Sequence, residues 1–120
     1  MHGISMADIV YVREFYPAGK LIFAEGRPGN EMYIVESGNV EIWKTINNDK
    51  KVLATLHKGQ VFGEMALIDT SVRMASAEAA PGGTTLIKIS ASKVEEALSQ
   101  CPPIVRTIMK ALVENLRRVQ

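Results

Sequence analysis

The sequence predicts a mainly β fold, a sandwich or barrel with its helices gathered toward the C-terminal end. Three observations lead there. From Val12 onward, short runs rich in β-branched and aromatic residues are cut about every 8–12 residues by glycine, proline or asparagine. No helical period interrupts them until late in the chain. The last third then carries an apolar stripe at helical spacing, Ile104, Ile108, Leu112 and Leu116. A single domain is expected over residues 1–120, with the β part over about 12–90 and helices over about 92–120. A chain of this length can bury about two-thirds of its unfolded surface.

In chain order, Ser5 to Val10 reads as one helical turn, capped by Ser5 with Asp8 as its acidic partner. Strands are expected at Arg13 to Tyr16, Leu21 to Ala24, Met32 to Ser37, Asn39 to Thr45, Lys51 to His57, Ser76 to Ala79 and Thr84 to Ser90. Ser37-Gly38-Asn39 and Asn47-Asn48-Asp49-Lys50 supply residues that tolerate positive φ and read as hairpin turns. Alternation points Val40 and Ile42 inward, and leaves Trp43 as a half-covered aromatic on the outer face. Ser92 is expected to cap a helix over Lys93 to Ser99. Pro102-Pro103 ends it, and Pro103 suits the first position of a second helix running to the chain end. Its apolar stripe, with Val105, Met109 and Val119 beside it, is expected to pack on the barrel, and Lys110 to pair with Glu114.

Composition excludes several functions. A formal net charge of +1 gives no basic field for nucleic acid or an anionic membrane. Cys101 is the only cysteine, so no intrachain disulfide forms and the thiol reads as idle. The run Ile9 to Val12, stopped by Asp8 and Arg13, is far short of a signal core or membrane span, and the expected location is cytoplasmic. With His2 and His57 the only histidines, the ligand set of a metal-dependent barrel enzyme is lacking. No serine or cysteine stands out as a nucleophile with a histidine partner, so no enzymatic activity is expected.

The stretch Val61 to Ala77 carries the chemistry. Arg73 stands among Val72, Met74 and Ala75. An arginine cannot shed its proton, so burial requires an accompanying anion. That anion could be Glu64 or Glu78, or it could be a ligand. Gly63 and Glu64 open a short helix whose first N–H groups suit a phosphate, and Arg73 can fold back to the same point with a forked donor. Glu64 beside a phosphate makes sense as an acceptor for ribose hydroxyls. Phosphate plus ribose implies a nucleotide.

The run Phe62-Gly63-Glu64-Met65-Ala66-Leu67 followed by Arg73-Met74-Ala75-Ser76 resembles the phosphate-binding cassette of the cyclic nucleotide-binding domain family. Upstream, Glu25 to Ile42 is similar to the family's E-G-x-x-G-x-x-x-Y-x-V-x-x-G-x-V-x-I run, and Gly26, Gly29, Gly38, Gly59 and Gly63 fall where that pattern has glycine. The resemblance covers nearly the whole chain. It implies a double-stranded β-helix, a jelly-roll-like β-roll with a short cassette helix and C-terminal helices. It implies a regulatory domain that binds cAMP, with cGMP second, through Gly63, Glu64, Met65, Ala66, Arg73, Met74 and Ala75. In it Arg73 clamps a phosphate oxygen, Glu64 takes the ribose 2′-hydroxyl, and N–H groups of Gly63, Ala66 and Ala75 complete the cradle. Leu53 and Ala54 fall at base-contacting strand positions. Two residues depart from the pattern. Val72 replaces a proline, and Met74 stands where cGMP-preferring kinase domains place a threonine, which favours cAMP. The resemblance also implies that the last helix covers the base and pairs with its copy in a homodimer. With no residues left for a helix-turn-helix, the effector is expected on another chain or on a further part of a parent protein. The competing reading is a roll that has lost its ligand and serves as an interaction or dimerisation module.

Overall fold

A computed structural model describes residues 11–67 and 72–118. Its strands are β1 (Tyr11–Tyr16), β2 (Leu21–Phe23), β3 (Glu31–Ser37), β4 (Val40–Ile46), β5 (Asp49–Leu56), β6 (Val61–Phe62), β7 (Ser76–Ala79) and β8 (Thr84–Ser90). A short 3-10 helix (Glu64–Leu67) follows β6, and two helices, α1 (Ala91–Leu98) and α2 (Pro103–Arg118), follow β8. Two antiparallel four-stranded sheets, ordered β1-β8-β3-β6 and β2-β7-β4-β5, face each other. This is the β-roll with helices appended that the sequence predicts. The expected helical turn at Ser5 and the turn Asp69-Thr70-Ser71 lie outside the described residues.

The core forms between the sheets because their inward phases carry different sizes of side chain. Tyr16, Tyr33, Val35, Phe62 and Leu86 come from one sheet, and Val40, Ala77 and Ala79 from the other. Ala77 and Ala79 are 0% and 1% exposed, so the short side chains of β7 make room for the opposing aromatics. Ile42 packs against this core behind Val40, in the predicted phase. Trp43 is half-buried with Lys50 Nζ 5.1 Å from its ring centre, which gives the expected half-covered aromatic a cation as its cover.

Several local expectations shift. Asn47 and Asn48 have φ of 54° and 67°, so the hairpin turn is two residues long and Asp49 and Lys50 already belong to β5. β6 was missed because two residues carry no periodicity; it pairs Val61 and Phe62 with Ile34 and Tyr33. β5 contains a bulge. Ile42 faces Ala54 and Trp43 faces Val52, so Leu53 is the extra residue.

The helices differ more. α1 starts at Ala91, with Ser90 as its N-cap and no side-chain cap hydrogen bond. Ser92 lies inside the helix, its Oγ 2.8 Å from that of Ser90, and is not the cap. α2 begins at Pro103 as predicted. Lys110 pairs at 3.1 Å with Glu95 of α1 and so ties the two helices together, in place of the Glu114 pairing expected. The stripe does not pack on the barrel: Ile104, Ile108 and Leu112 are 51–64% exposed. Among the described residues of α2 only Val113 is buried, in a second cluster with Ala91, Met32, Met65 and Val94. That cluster joins α2 to the 3-10 helix and to β3.

Candidate functional site

Arg73 is held in place by its own main chain. Its N–H donates to the carbonyl of Arg27 at 2.9 Å, and its carbonyl accepts from Gly26 N–H at 2.8 Å. The neighbouring Glu25 N–H donates to Ser76 Oγ at 2.9 Å, and Glu25 Oε1 accepts from Thr45 N–H at 3.2 Å. The Glu25-Gly26-Arg27 loop therefore fastens the Arg73 segment to the roll. The arginine enters from a fixed backbone.

Its side chain then turns inward and is only 8% exposed. Nη2 donates to the carbonyl of Glu31 at 2.7 Å, and the guanidinium carbon lies 4.2 Å from the centre of the Phe23 ring. Gly29 and Gly63 approach it so closely that a Cβ on Gly29 would sit 2.6 Å from Cζ, and one on Gly63 3.1 Å from Nη1. Gly63 also has φ of 75°, so it serves both the turn and the approach. Nε is buried and has no hydrogen-bond partner among the described residues. Among the described residues no carboxylate forms an ion pair with Arg73. Glu78 is committed to Lys50 at 3.0 Å. Burial pulls the guanidinium below its ordinary pKa, opposed by Tyr33 and Glu31, but an arginine remains charged. The result is a desolvated cation lacking a described protein counter-ion.

Arg73 lines a cavity of about 710 Å³, a size that suits a nucleotide-sized ligand. Gly63, Glu64, Met65, Arg73, Met74 and Ala75, all predicted site residues, line it together. Ala66 lies in the 3-10 helix beside them. Leu53 and Ala54 line it too, and the bulge explains how two adjacent strand residues reach one side. Met74 is 67% exposed, so its side chain spreads at the mouth. Phe23, Gly29, Ile42 and Lys44 also line the cavity and were not picked out as site residues. For Ile42 and Lys44 a signal existed, since they continue the inward phase of Val40. For Phe23 there was none.

The remaining candidates stay apart from the cavity. His57 Nδ1 sits 2.8 Å from Asn39 Oδ1 at an exposed strand end. Among the described residues no three His, Cys, Asp or Glu side chains gather in a metal-holding group, and no helix is long and apolar enough to cross a membrane.

Comparison with known proteins places this geometry. The model of the cyclic nucleotide-binding domain matches residues 13–101. A cyclic AMP receptor protein of Thermus thermophilus is 31% identical over 122 residues, an alignment that takes in 97% of this chain and 56% of the relative. The crystal structure of the Thermus thermophilus catabolite activator protein superposes with a TM-score of 0.75 at 33% identity, over 91% of this chain and 51% of that one. The chain thus spans about half the length of these relatives. The EAL enzyme Bd1971 matches in its cAMP-bound form (TM-score 0.70, 34% identity, 92% of this chain and 29% of that one) and in its cGMP-bound form (0.72, 35%, 91% and 28%). A buried arginine and a Gly-Glu turn facing one cavity, in a β-roll that the family model matches over most of its length, lead to one conclusion: the chain belongs to the cyclic nucleotide-binding domain family.

Proposed function

We propose that this domain is a regulatory sensor that binds cAMP in the cavity beneath Arg73 and transmits occupancy through α2. The observation that carries the reading is Arg73 itself: a buried, permanent cation with no described carboxylate partner, aimed into a cavity of nucleotide size. In this reading Arg73 meets the cyclic phosphate and Glu64 accepts from the ribose 2′-hydroxyl. N–H groups of Gly63, Ala66 and Ala75 complete the cradle, with Met65 and Met74 beside it. Leu53, Ala54 and Ile42 offer the base an apolar face. Met74 brings no hydroxyl to meet guanine, which favours cAMP; the two bound forms of Bd1971 support keeping cGMP as the second ligand.

The path to α2 is short. Met65 stands in the 3-10 helix, lines the cavity and touches the cluster that buries Val113. A nucleotide that draws the 3-10 helix toward Arg73 therefore moves Val113, the residue through which α2 packs on that helix. A near-complete switch requires the ligand to prefer one helix position by about 5.5 kcal/mol. No catalytic step is assigned to the chain, which acts on an effector carried by another chain or by a further part of a longer protein.

The exposed face of α2 favours a second role, self-association through Ile104, Ile108 and Leu112. It accompanies nucleotide binding; as a replacement for it, it would leave the buried charge of Arg73 unexplained. Thermal melting of nucleotide-stripped protein with cAMP and, in parallel, cGMP tests the assignment. A ligand at a hundredfold its Kd adds about 2.7 kcal/mol of stability. The shift is expected with cAMP and is expected to vanish in Arg73→Ala; no shift with either nucleotide would replace the sensor by a ligand-free dimerisation module.

A further inference from the structure

Arg73 keeps its orientation with only one described side-chain hydrogen bond, to the carbonyl of Glu31, and its Nε has none. The face of the guanidinium is covered instead by Phe23, 4.2 Å from ring centre to Cζ. Phe23 is not a loose neighbour. Its ring centre lies 5.9 Å from that of Tyr33 and 6.0 Å from that of Phe62, and those two rings stack on each other at 5.0 Å. The pairing of β2 with β7 shifts register between Leu21 and Phe23, an irregularity of the kind that re-aims a side chain.

We infer that Phe23 is a positioning residue for the phosphate-binding arginine: its ring holds the guanidinium through a cation–π contact that leaves the charge unneutralised and uses none of its N–H donors, of which Nη2 gives one to Glu31. A carboxylate in that place would neutralise the cation and compete with the phosphate. An aliphatic side chain would fill the space but attract nothing. An aromatic face stabilises a desolvated cation without occupying a donor. The inference rests on the nucleotide reading of the cavity.

The test keeps the volume at position 23 and changes only the electrons. Phenylalanine analogues with one, two and three ring fluorines, incorporated at position 23 of the full chain, weaken the negative face stepwise. Calorimetric titration with cAMP is expected to give affinities that fall with each fluorine, to about tenfold weaker for the trifluoro ring, with cGMP falling in parallel because the phosphate is common to both. The ligand-free variants already contain the contact, so their melting temperatures are expected to fall modestly with each fluorine; the stepwise loss of affinity is the readout that a purely structural ring would not give. Wild-type affinity across the whole series, with wild-type protein binding cAMP, overturns the role of Phe23 and leaves the sensor standing. Failure of the wild-type protein to bind either nucleotide overturns both.

Discussion

Gly29 and Arg73 are fitted to each other: a methyl group on Gly29 would lie 2.6 Å from the guanidinium carbon. Position 29 belongs to the loop before β3, outside the cassette, and its backbone does not require glycine by its φ. Gly29→Ala is therefore expected to push the guanidinium out of its slot while leaving the roll folded. We predict a loss of cAMP affinity of about tenfold or more, with the melting temperature of the free protein changed little. An unaltered affinity would mean that the arginine has another way to reach the ligand.

Arg73→Ala separates binding from stability. Removing the arginine is expected to cost about 2–5 kcal/mol of nucleotide binding, because the phosphate is left buried without its partner. The free protein, in contrast, loses one hydrogen bond to Glu31 and the ring contact to Phe23 but is also relieved of a desolvated cation, and these offset, so denaturant unfolding is expected to change less than binding does. Equal losses in both measurements would make Arg73 a structural residue.

Val113 joins α2 to the cassette through Met65 and is 6% exposed. Val113→Ala removes about two methylene equivalents from that contact, worth about 1.6 kcal/mol. The expected outcome is near-normal nucleotide affinity with a weakened response of α2. Hydrogen exchange of the helix amides, compared with and without cAMP, reads it directly.

The outer face of α2 gives a prediction of the opposite kind. Leu112 is 55% exposed and Ile108 51%. Ile108→Glu combined with Leu112→Glu is expected to abolish self-association in sedimentation velocity and to leave cAMP affinity intact. A wild-type protein that stays monomeric at high concentration would refute the dimer.

Alkaline pH offers a test of the core. Burial, reinforced by Glu31, raises the Tyr33 phenol from 10.0 to about 12. Burial also raises Tyr16, which donates to Glu14 at 2.9 Å. The folded state holds both phenols neutral. Their contribution is therefore full below about pH 10, the unfolded value, and is lost as pH rises through the folded pKa values. Melting temperatures are expected to decline from pH 10 upward, and Tyr33→Phe is expected to lessen that decline without changing the melting temperature at pH 8.

How much of this was legible beforehand depended on where each determinant lies. The sequence around Arg73 suggested a cation that would need an anion if the fold buried it, because its neighbours are apolar and small. The partners that hold it were hidden. A main-chain carbonyl at Glu31 and a ring at Phe23 come from strands far away in sequence, and nothing local to either residue signals the contact. The stripe on α2 was visible as a period, but a period reports an apolar face and not what covers it. The burial of Val113, off that stripe, required knowing that the helix touches the roll through the 3-10 turn. The hairpin at Asn47-Asn48 was legible because two adjacent asparagines carry the positive φ that a two-residue turn needs.

The extra residue in β5 has a consequence for comparing this chain with others. On either side of Leu53 the β4–β5 ladder is regular: Ile42 meets Ala54 before the irregularity, Trp43 meets Val52 after it, and the turn at Asn47-Asn48 closes the hairpin beyond. A chain lacking one residue here could keep every other pairing of that hairpin and lose a single apolar contact to the cavity. A one-residue gap at position 53 in a pairwise alignment would therefore mark a changed cavity wall rather than a broken strand, and, under the proposed nucleotide pose, a homologue carrying it would be the natural place to look for a changed preference among bases.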